Sequence, residues 1–364
     1  MALTQVRPEG LGFVNGRRNL IINGAMQVSQ KGTSAVGVPN GGTSTVDRMK
    51  FYESTGGAYT SEQSSDVPAG QGFSKSIKLA CTTADTSIGA AEIATMSQVI
   101  EGQNLQRLNY GTSDAKTITL SFWVKSNKTG IYTIAIYKHA GGGTAYGCPV
   151  EYTISSANTW EKKTITVTPT AGSTTLITSS AGAIIDSNGA GIEVHWGLAW
   201  GSNYNSTNNT WSASGFYSTS NQVNWLDSTS NNFYITGVQL EVGTNASDFE
   251  HESFGETLQK CQRYYQQISG SDRMPVYAGD SSNVFSSSNL LLQSPMRAQP
   301  SLSTSGAYSF DEYFISGRTQ SSAQIGRASG NEIVVIARFE NFSGCTRGNP
   351  GAVYNATTKI DAEL

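Results

Sequence analysis

Between positions 46 and 249 the chain alternates apolar and polar residues with a period of two, and this feature constrains its fold most. In "TITLSFWVKS" (117–126) one set of alternating positions is wholly apolar: Ile118, Leu120, Phe122 and Val124. Successive strand residues point to opposite faces of a sheet, so this pattern predicts strands with one buried face. About nine such runs occur, at 47–54, 74–81, 91–100, 117–126, 131–138, 148–154, 160–168, 191–198 and 233–242.

The runs are separated by Gly, Ser and Asn clusters, with no convincing helix between them. Only 14% of the 364 residues are charged, and turn-forming residues are plentiful, which is typical of short strands joined by many turns. The pattern therefore predicts a mainly β protein with a two-sheet sandwich at residues 46–250. The chain length leaves room for a second domain.

Residues 1–45 contain many glycines and only one short apolar patch, Leu20-Ile21-Ile22. Such a segment cannot bury a core of its own. We therefore expect an extended N-terminal arm that needs a partner.

"FEHESFGETLQKCQRYYQQ" (249–267) is the clearest helical stretch. Ser253 and Glu256 have the spacing of a capping box, in which each side chain can bond the backbone amide of the other residue. The apolar residues are spaced by 4, 3 and 4, typical of a narrow coiled-coil seam: Phe254, Leu258, Cys261 and Tyr265. A helix this short must be docked, either onto its own chain or against copies of itself about a symmetry axis.

Strand-like runs resume after the helix and predict a smaller β domain at residues 269–364, with a rigid turn at "SPMRAQP" (294–300). The last stretch, "NPGAVYNATTKIDAEL", is either a tail or an edge strand. The four cysteines are widely spaced, which favours isolated buried thiols.

Several stretches together resemble tail-fibre and other virion appendage proteins of tailed bacteriophages. They are "RRNLIINGAMQVSQKGTS" (17–34), "TVDRM" (45–49), "ITGVQLEVGTNASDFEHESFGETLQKCQRYY" (235–265) and the "SPMRAQP" turn. The resemblance implies virion attachment through residues 1–45, a jelly-roll sandwich similar to carbohydrate-binding modules, a linking and trimerising helix at 251–268, and a distal domain that meets the host. It also implies a homotrimer that is made in the host cytoplasm, binds a phage tail protein and is located in the virion.

Residues 195–227 hold four of the chain's six tryptophans among Asn and Ser. Aromatic rings stack on the apolar faces of sugars, and amides and hydroxyls bond sugar hydroxyls. We therefore predict glycan-binding residues here: Trp200, Tyr204, Trp211 and Tyr217. The alternative is that these rings fill the sandwich core or its mouth, which is the position expected for Trp196 and Trp160.

Other site types find less support. No Lys/Arg run indicates nucleic acid, no apolar run is long enough for a membrane span, and the N-terminus does not resemble a secretory signal. No short acidic loop supplies the six oxygens that calcium needs, although Asp47, Asp186 and Asp248 are candidates for a structural ion, so we predict neither a cofactor nor another metal.

No catalytic motif is evident, because "GDSSN" (279–283) lacks a histidine after it. A glycan depolymerase needs two carboxylates close together, and the sequence cannot assemble them from its separate candidates: Glu151, Glu193, Asp227 and Glu241. We therefore expect a non-enzymatic attachment protein. A polysaccharide-degrading tailspike, or a virion decoration protein without host binding, are the alternatives.

Overall fold

The computed structural model describes residues 18–141, 143–213, 215–269, 274–278, 284–286, 290–305, 308–312, 319–330, 334–340, 345, 347–354 and 356–364. The chain divides into two compact units, Met1–Phe254 and Gly255–Leu364. The boundary lies close to the predicted end of the sandwich at residue 250. The linking helix falls almost wholly within the second unit.

The first unit is built from thirteen strands in the described residues. They are β1 (Val36–Gly37), β2 (Gly42–Thr43), β3 (Lys50–Glu53), β4 (Ala58–Ser64), β5 (Ser76–Thr83), β6 (Ile93–Glu101), β7 (Ile118–Ser126), β8 (Gly130–Lys138), β9 (Tyr146–Ile154), β10 (Glu161–Val167), β11 (Ala190–Trp200), β12 (Ser212–Ala213) and β13 (Asn232–Val242). All nine predicted strands are present. The alternation did not reveal β4 or the three two-residue strands.

These strands form two antiparallel sheets. The six-stranded sheet has the order β1-β4-β5-β13-β7-β10, and the seven-stranded sheet has the order β12-β9-β8-β11-β6-β3-β2. From β5 to β11 the chain crosses repeatedly from one sheet to the other, as a jelly roll does. The prediction of a mainly β jelly-roll sandwich is confirmed.

The core lies between the sheets and follows the alternation. Phe122 on β7, Ile134 on β8 and Trp196 on β11 are fully buried, because the period-two pattern directs them inward on facing sheets. Aromatic edges interlock there, for example Phe122 against Trp196 at 6.3 Å between ring centroids. Cys81 and Cys148 are buried with them, and burial raises the pKa of the Cys148 thiol to about 12. Cys261 and Cys345 are also buried, as predicted.

The prediction of an extended arm is wrong for residues 18–45, while residues 1–17 lie outside the described residues. Leu20 and Met26 are buried in the core of the sandwich. The Leu20 amide donates to the Leu240 carbonyl at 2.8 Å, and the Asn19 side-chain amide donates to the Val238 carbonyl at 3.0 Å. The apolar patch is too short for a core of its own, but it completes the core formed by the strands.

The second unit contains the α-helix and ten strands in the described residues. They are α1 (Phe254–Gln262), β14 (Tyr265–Ile268), β15 (Met274–Ala278), β16 (Val284–Ser286), β17 (Leu290–Leu291), β18 (Ser301–Ser305), β19 (Tyr308–Glu312), β20 (Thr319–Gly330), β21 (Val334–Glu340), β22 (Pro350–Tyr354) and β23 (Thr357–Asp361). The helix starts directly after Ser253, as the capping box predicts. It is shorter than the predicted range 251–268.

Six strands of this unit form an antiparallel barrel in the order β16-β15-β22-β19-β20-β21. The barrel is closed because its first strand, β16, also pairs with its last, β21. A second, three-stranded sheet has the order β14-β23-β18. The terminal stretch is therefore neither a tail nor an edge strand. Its β22 lies between β15 and β19, and its β23 is the central strand of the small sheet.

The "CQRYYQQ" and "SPMRAQP" stretches pack together in the second unit. The side chain of Gln266 donates to the Ser294 carbonyl at 2.8 Å and accepts from the Gln293 amide at 2.9 Å. The Arg297 amide donates to the Arg263 carbonyl at 2.8 Å, and Met296 is buried. The turn around Pro295 thus supplies backbone hydrogen-bond partners for the residues that follow the helix.

Candidate functional site

The outer face of the seven-stranded sheet carries a cluster of aromatic side chains. Tyr52 on β3, Tyr137 on β8 and His195 on β11 alternate with buried core residues, so they point away from the core. The His195 ring centroid lies 6.0 Å from that of Tyr52 and 6.4 Å from that of Tyr137. A band of rings carried by three strands therefore crosses this sheet from β8 to β3.

Trp200, at the end of β11, and the following loop add three more rings to the band. Trp200 and Tyr217 are stacked, with centroids 5.0 Å apart and planes inclined by 6°. Tyr204 packs against the edge of Trp200 at 5.4 Å, and Tyr217 lies 4.9 Å from His195. The structure thus brings together three of the four predicted glycan-binding residues. We call the set Tyr52, Tyr137, His195, Trp200, Tyr204 and Tyr217 the aromatic face.

Backbone hydrogen bonds fix the loop that carries Tyr204 and Tyr217. The amides of Tyr217 and Ser218 both donate to the Tyr204 carbonyl, at 3.0 and 3.1 Å. The Tyr204 hydroxyl donates to the Ala91 carbonyl at 3.2 Å, in the turn before β6. These contacts hold the two tyrosines against the strands rather than leaving them on a free loop.

Trp211 does not belong to this face, and its prediction as a glycan-binding residue is wrong. Its side chain is 1% exposed and lies in the sandwich core. Its indole nitrogen donates to the Thr168 carbonyl at 2.8 Å, and its ring meets the edge of Tyr110. The residues around Trp211 in the sequence are polar and did not indicate its burial. The loop turns this single large ring inward, where it covers the end of the core.

Trp196 is fully buried, as expected, whereas Trp160 is not a core residue. Trp160 lies half-buried on the outer face of the six-stranded sheet, where it packs against Tyr234. Its indole nitrogen donates to Asp66 at 3.0 Å. As the residue just before β10, it lies outside the alternation that directs side chains inward.

Glu193 lies beneath the aromatic face as a buried carboxylate. It accepts from the Ser97 hydroxyl at 2.6 Å and from His139 Nε2 at 3.1 Å, and His195 Nε2 lies 3.6 Å away. Burial alone would raise the pKa of this carboxyl, but the charge of His195 and the hydrogen bonds hold it well below its usual range. Glu193 therefore remains ionised at neutral pH beneath the face.

Buried polar atoms at and beside the face have no hydrogen-bond partner within the described part of the chain. They are His195 Nδ1, Trp200 Nε1 and Nε2 of the adjacent Gln222. The core also has such atoms, for example Trp196 Nε1. The feature that distinguishes the aromatic face is that several of them lie together on one outer surface of the sandwich. Buried polar groups of this kind call for a ligand or ordered water as partner.

The phenol of Tyr217 adds a further polar group to the face. Burial and then the neighbouring Tyr137 raise the pKa of Tyr217 above its usual range. Its hydroxyl therefore stays protonated and keeps its proton for donation. The face thus combines flat rings with donors and acceptors at short range.

The four candidate carboxylates do not form a catalytic pair. Glu193 and Glu151 share an outer face, but β8 lies between their strands, with Tyr137 opposite Glu193 and Thr133 opposite Glu151. Usual strand spacings place their backbones about 17 Å apart, beyond the range for glycoside hydrolysis. Asp227 pairs with Lys128, and Glu241 lies on the other sheet, on β13.

The described residues contain no group of three or more His, Cys, Asp or Glu side chains arranged to hold a metal ion. Of the calcium candidates, the Asp47 carboxylate accepts from the Gln30 amide at 2.9 Å, and Asp248 lies on the outer side of the six-stranded sheet. None of the helices that the structure describes is long and apolar enough to span a bilayer.

The proposed trimer seam is only partly available. Cys261 and Tyr265 are buried within their own chain, and Tyr265 lies in β14 because the helix ends at Gln262. Phe254 is 56% exposed and Leu258 is half-buried. The prediction that all four residues line a helical seam is therefore wrong for the two later positions.

Sequence reasoning missed Tyr52, Tyr137 and His195 as members of the face and Glu193 as the carboxylate beneath it. The signal was present in the alternation, since each occupies a position opposite to the core-facing set of its strand. The glycan-binding residues predicted from the sequence all came from one segment, residues 195–227. Residues on β3 and β8 join it only through strand pairing.

No protein-family model and no curated protein matches the chain. Among solved structures, the enzymatically active domain of tailspike protein 4 from bacteriophage CBA120 is 14% identical, covering 62% of this chain and 21% of its own, with a TM-score of 0.32. A putative sugar-binding protein from Bacteroides thetaiotaomicron is 12% identical, covering 62% of this chain and 100% of its own, with a TM-score of 0.34.

The family 11 carbohydrate-binding module of a Clostridium thermocellum cellulase is 11% identical, covering 59% of this chain and 98% of its own, with a TM-score of 0.27. The chain spans about a fifth of the length of the tailspike domain. Similarity at this level concerns the arrangement of strands and carries no information on the ligand.

Proposed function

We propose that this chain is a non-enzymatic appendage protein of a tailed-phage virion and that it attaches to host-surface glycans through its aromatic face. The observation that carries the glycan part is the grouping of half-buried rings with unpartnered polar atoms on one outer sheet face. The virion part is supported by the sequence stretches that resemble phage tail fibres.

The chemistry of the aromatic face suits a neutral sugar surface. Tyr52, Tyr137 and Tyr217 offer flat rings for the apolar side of a pyranose, and their phenol hydroxyls can bond its hydroxyls. Glu193 and His195 are buried beneath these rings, so the phenol hydroxyls of these three tyrosines are the polar groups that meet a ligand. A ligand built from many hydroxyls can satisfy this set, whereas an apolar ligand would leave it unpaired.

The absence of catalysis is part of the proposal. At neutral pH the Glu193 carboxyl, with its low pKa, has no proton to deliver as a general acid. Its nearest candidate on the same face, Glu151, lies too far along the sheet and already accepts from Thr219 at 2.6 Å. We expect no release of reducing ends from host polysaccharide, and such release would support the tailspike alternative.

We further propose that the protein is a homotrimer, held in part through Phe254 and Leu258. These two side chains retain exposed apolar area at the start of α1. Single sugar contacts are weak, and several acting together gain a high effective concentration. Light scattering at micromolar concentration tests this point, since a monomer there would contradict it.

Attachment to a phage tail protein is then restricted to residues 1–17, because residues 18–45 belong to the sandwich. Residues 1–17 lie outside the described part of the chain. A deletion of these residues is expected to leave glycan binding intact and to prevent incorporation into virions. Equal incorporation of the deleted and full chains would contradict this assignment.

The central experiment compares Tyr137→Ala with Tyr234→Ala on a glycan array and on host polysaccharide. Both tyrosines are half-buried on an outer sheet face, but Tyr234 belongs to the six-stranded sheet. We expect Tyr137→Ala to weaken binding at least tenfold and Tyr234→Ala to leave it unchanged. Equal binding by both variants would remove the aromatic face from the proposal.

A second readout addresses the decoration-protein alternative. Fluorescently labelled wild-type protein is expected to adhere to cells that the phage infects, and Tyr137→Ala is expected to lose this adhesion. If the wild type adheres to no susceptible cell, the chain has no attachment role.

A further inference from the structure

The outer side of the six-stranded sheet contains a cavity of about 290 Å³. Its wall includes Trp123, Phe249 and His251, and its rim includes Asp248 and Lys162. All of these residues belong to the first unit. The cavity lies on the sheet opposite to the aromatic face, so the two regions share no residue.

An irregularity in β13 creates the floor of this cavity. The pairing of β13 with β7 shifts register between Thr236 and Gln239. Within this bulge Gly237 has φ 61°, and an added Cβ would lie 2.6 Å from Phe73 Cζ and 3.1 Å from Trp123 Cδ1. Only glycine both adopts this backbone conformation and leaves the space beneath the indole open.

Three rings form a rigid wall beside the indole. The centroids of Phe73, Phe249 and His251 are 4.9 to 5.2 Å apart in each pairing. Gly72, with φ 78°, brings the chain close to His251, since an added Cβ would lie 3.1 Å from its Nε2 atom. Mutual packing of this kind fixes the shape of the wall before any ligand arrives.

The rim carries opposite charges. Among the described residues the Asp248 carboxylate and the Lys162 ammonium have no hydrogen bond or ion pair, although the Arg18 guanidinium donates to the main-chain carbonyl of Asp248 at 3.4 Å. Lys162 lies directly across from Trp123 in the pairing of β10 with β7. An acceptor and a donor therefore flank the indole.

We propose that this cavity is a second carbohydrate site that takes a single pyranose unit. Its volume lies near the lower limit of ligand pockets, about 300 Å³, which suits one sugar ring and not a chain. Trp123 offers a stacking surface, Asp248 can accept from two neighbouring hydroxyls, and Lys162 and Ser121 can donate to ring substituents. The aromatic face, in contrast, is an open band.

This inference does not rest on the proposed function, because it uses different residues on a different sheet. If both regions bind sugars, each chain engages a host polysaccharide from two sides. If the aromatic face binds nothing, the cavity remains a sugar site on its own. The experiment below separates these outcomes.

The test is saturation-transfer NMR of the full chain with a panel of free monosaccharides: glucose, galactose, mannose, N-acetylglucosamine and glucuronate. The variants are Trp123→Ala and Asp248→Asn, with Trp160→Ala and Tyr137→Ala as controls. Trp160 is a half-buried tryptophan on the same side of the same sheet and does not line the cavity. Tyr137 reports on the aromatic face.

We expect at least one sugar to bind the wild type and both controls, and to bind Trp123→Ala and Asp248→Asn at least tenfold more weakly. Asp248→Asn keeps the size of an exposed side chain, so it decides the question if Trp123→Ala fails to fold. The proposal is overturned if no sugar of the panel binds, or if binding survives Asp248→Asn and is lost in Tyr137→Ala.

Discussion

The two outer faces of the sandwich are built from the same alternation but differ in how their polar groups are satisfied. On the six-stranded sheet, Lys78 pairs with Glu62 at 2.7 Å. Nearby, Lys125 pairs with Asp66 and lies over the Tyr234 ring at 4.3 Å. On the seven-stranded sheet the Glu193 carboxylate is buried under the rings, and several buried polar atoms have no hydrogen-bond partner among the described residues.

The difference separates a solvated surface from a candidate site. Charges that pair with each other are satisfied within the protein and require no ligand, and exposed pairs contribute little to stability. A buried carboxylate held by histidines costs more to assemble, and the buried polar atoms around it call for ordered water or a ligand as partner. The cavity at Gly237 is an exception on the six-stranded sheet, where other charged side chains are paired. There, Asp248 and Lys162 are not paired with described residues.

The largest expected effect on stability is at Glu193. Glu193→Gln removes the charge that faces His139 and His195 and turns an amide towards the donors that now reach the carboxylate. Breaking a buried pair in this way typically costs about 3 to 5 kcal/mol. Urea denaturation followed by tryptophan fluorescence measures it, because all six tryptophans lie in the first unit. A loss below about 1 kcal/mol would show that the site is solvated.

The next prediction compares two glycines that each lie beneath a tryptophan, one on each outer face of the sandwich. Gly237→Ala forces a non-glycine residue to φ 61° and places its Cβ 2.6 Å from the buried Phe73 ring, so we expect a loss of about 2 to 3 kcal/mol.

Gly197→Ala places its Cβ 2.4 to 2.8 Å from Trp200 Nε1, Gln222 Oε1 and Thr133 Oγ1. The backbone of Gly197 is not in the left-handed region, so overpacking is the main cost, and we expect a smaller loss of about 1 to 2 kcal/mol in stability together with weaker glycan binding. The same urea titration measures both variants, and the reverse order of losses would contradict the comparison.

The low pKa of Glu193 predicts a pH dependence. The unfolded state takes up a proton near pH 4.3, whereas the folded carboxyl does so only at lower pH. The stabilisation is therefore complete above the unfolded pKa and is lost as the pH falls towards the folded one. We expect the stability difference between wild type and Glu193→Gln to shrink by about 1.4 kcal/mol per unit below pH 4. A difference that is constant from pH 6 to about 3 would contradict this cause.

The smallest effect is expected on the six-stranded face. Glu62→Gln breaks the pair with Lys78, whose two side chains are both about 30% exposed, and exposed pairs contribute about 0 to 1 kcal/mol. Hydrogen bonding to Glu62 raises the pKa of Lys78, so this pairing is present at neutral pH. A loss as large as that of Glu193→Gln would mean that the two faces do not differ in the way proposed.

Much of the first unit could be predicted from local pattern. The alternation located all nine predicted strands and placed Trp196 in the core, and the capping box located the start of the helix. The candidate site was predicted in part, because Trp200, Tyr204 and Tyr217 stand close together in sequence. Trp211 was wrongly included, since a polar loop gives no indication of which ring turns inward.

By itself the sequence determined the β-rich class, the inward and outward sets of the nine longer strands of the first unit, and the start of the helix, because these depend on periodicity and on neighbours a few residues apart. Only the tertiary structure decided which outward sets meet. Tyr52, Tyr137, Glu193 and His195 lie on three strands far apart in sequence, and the register of β3, β6, β8 and β11 brings them together. The docking of residues 19–24 onto β13, and the space beneath Trp123 at Gly237, likewise depend on pairings that no local window contains.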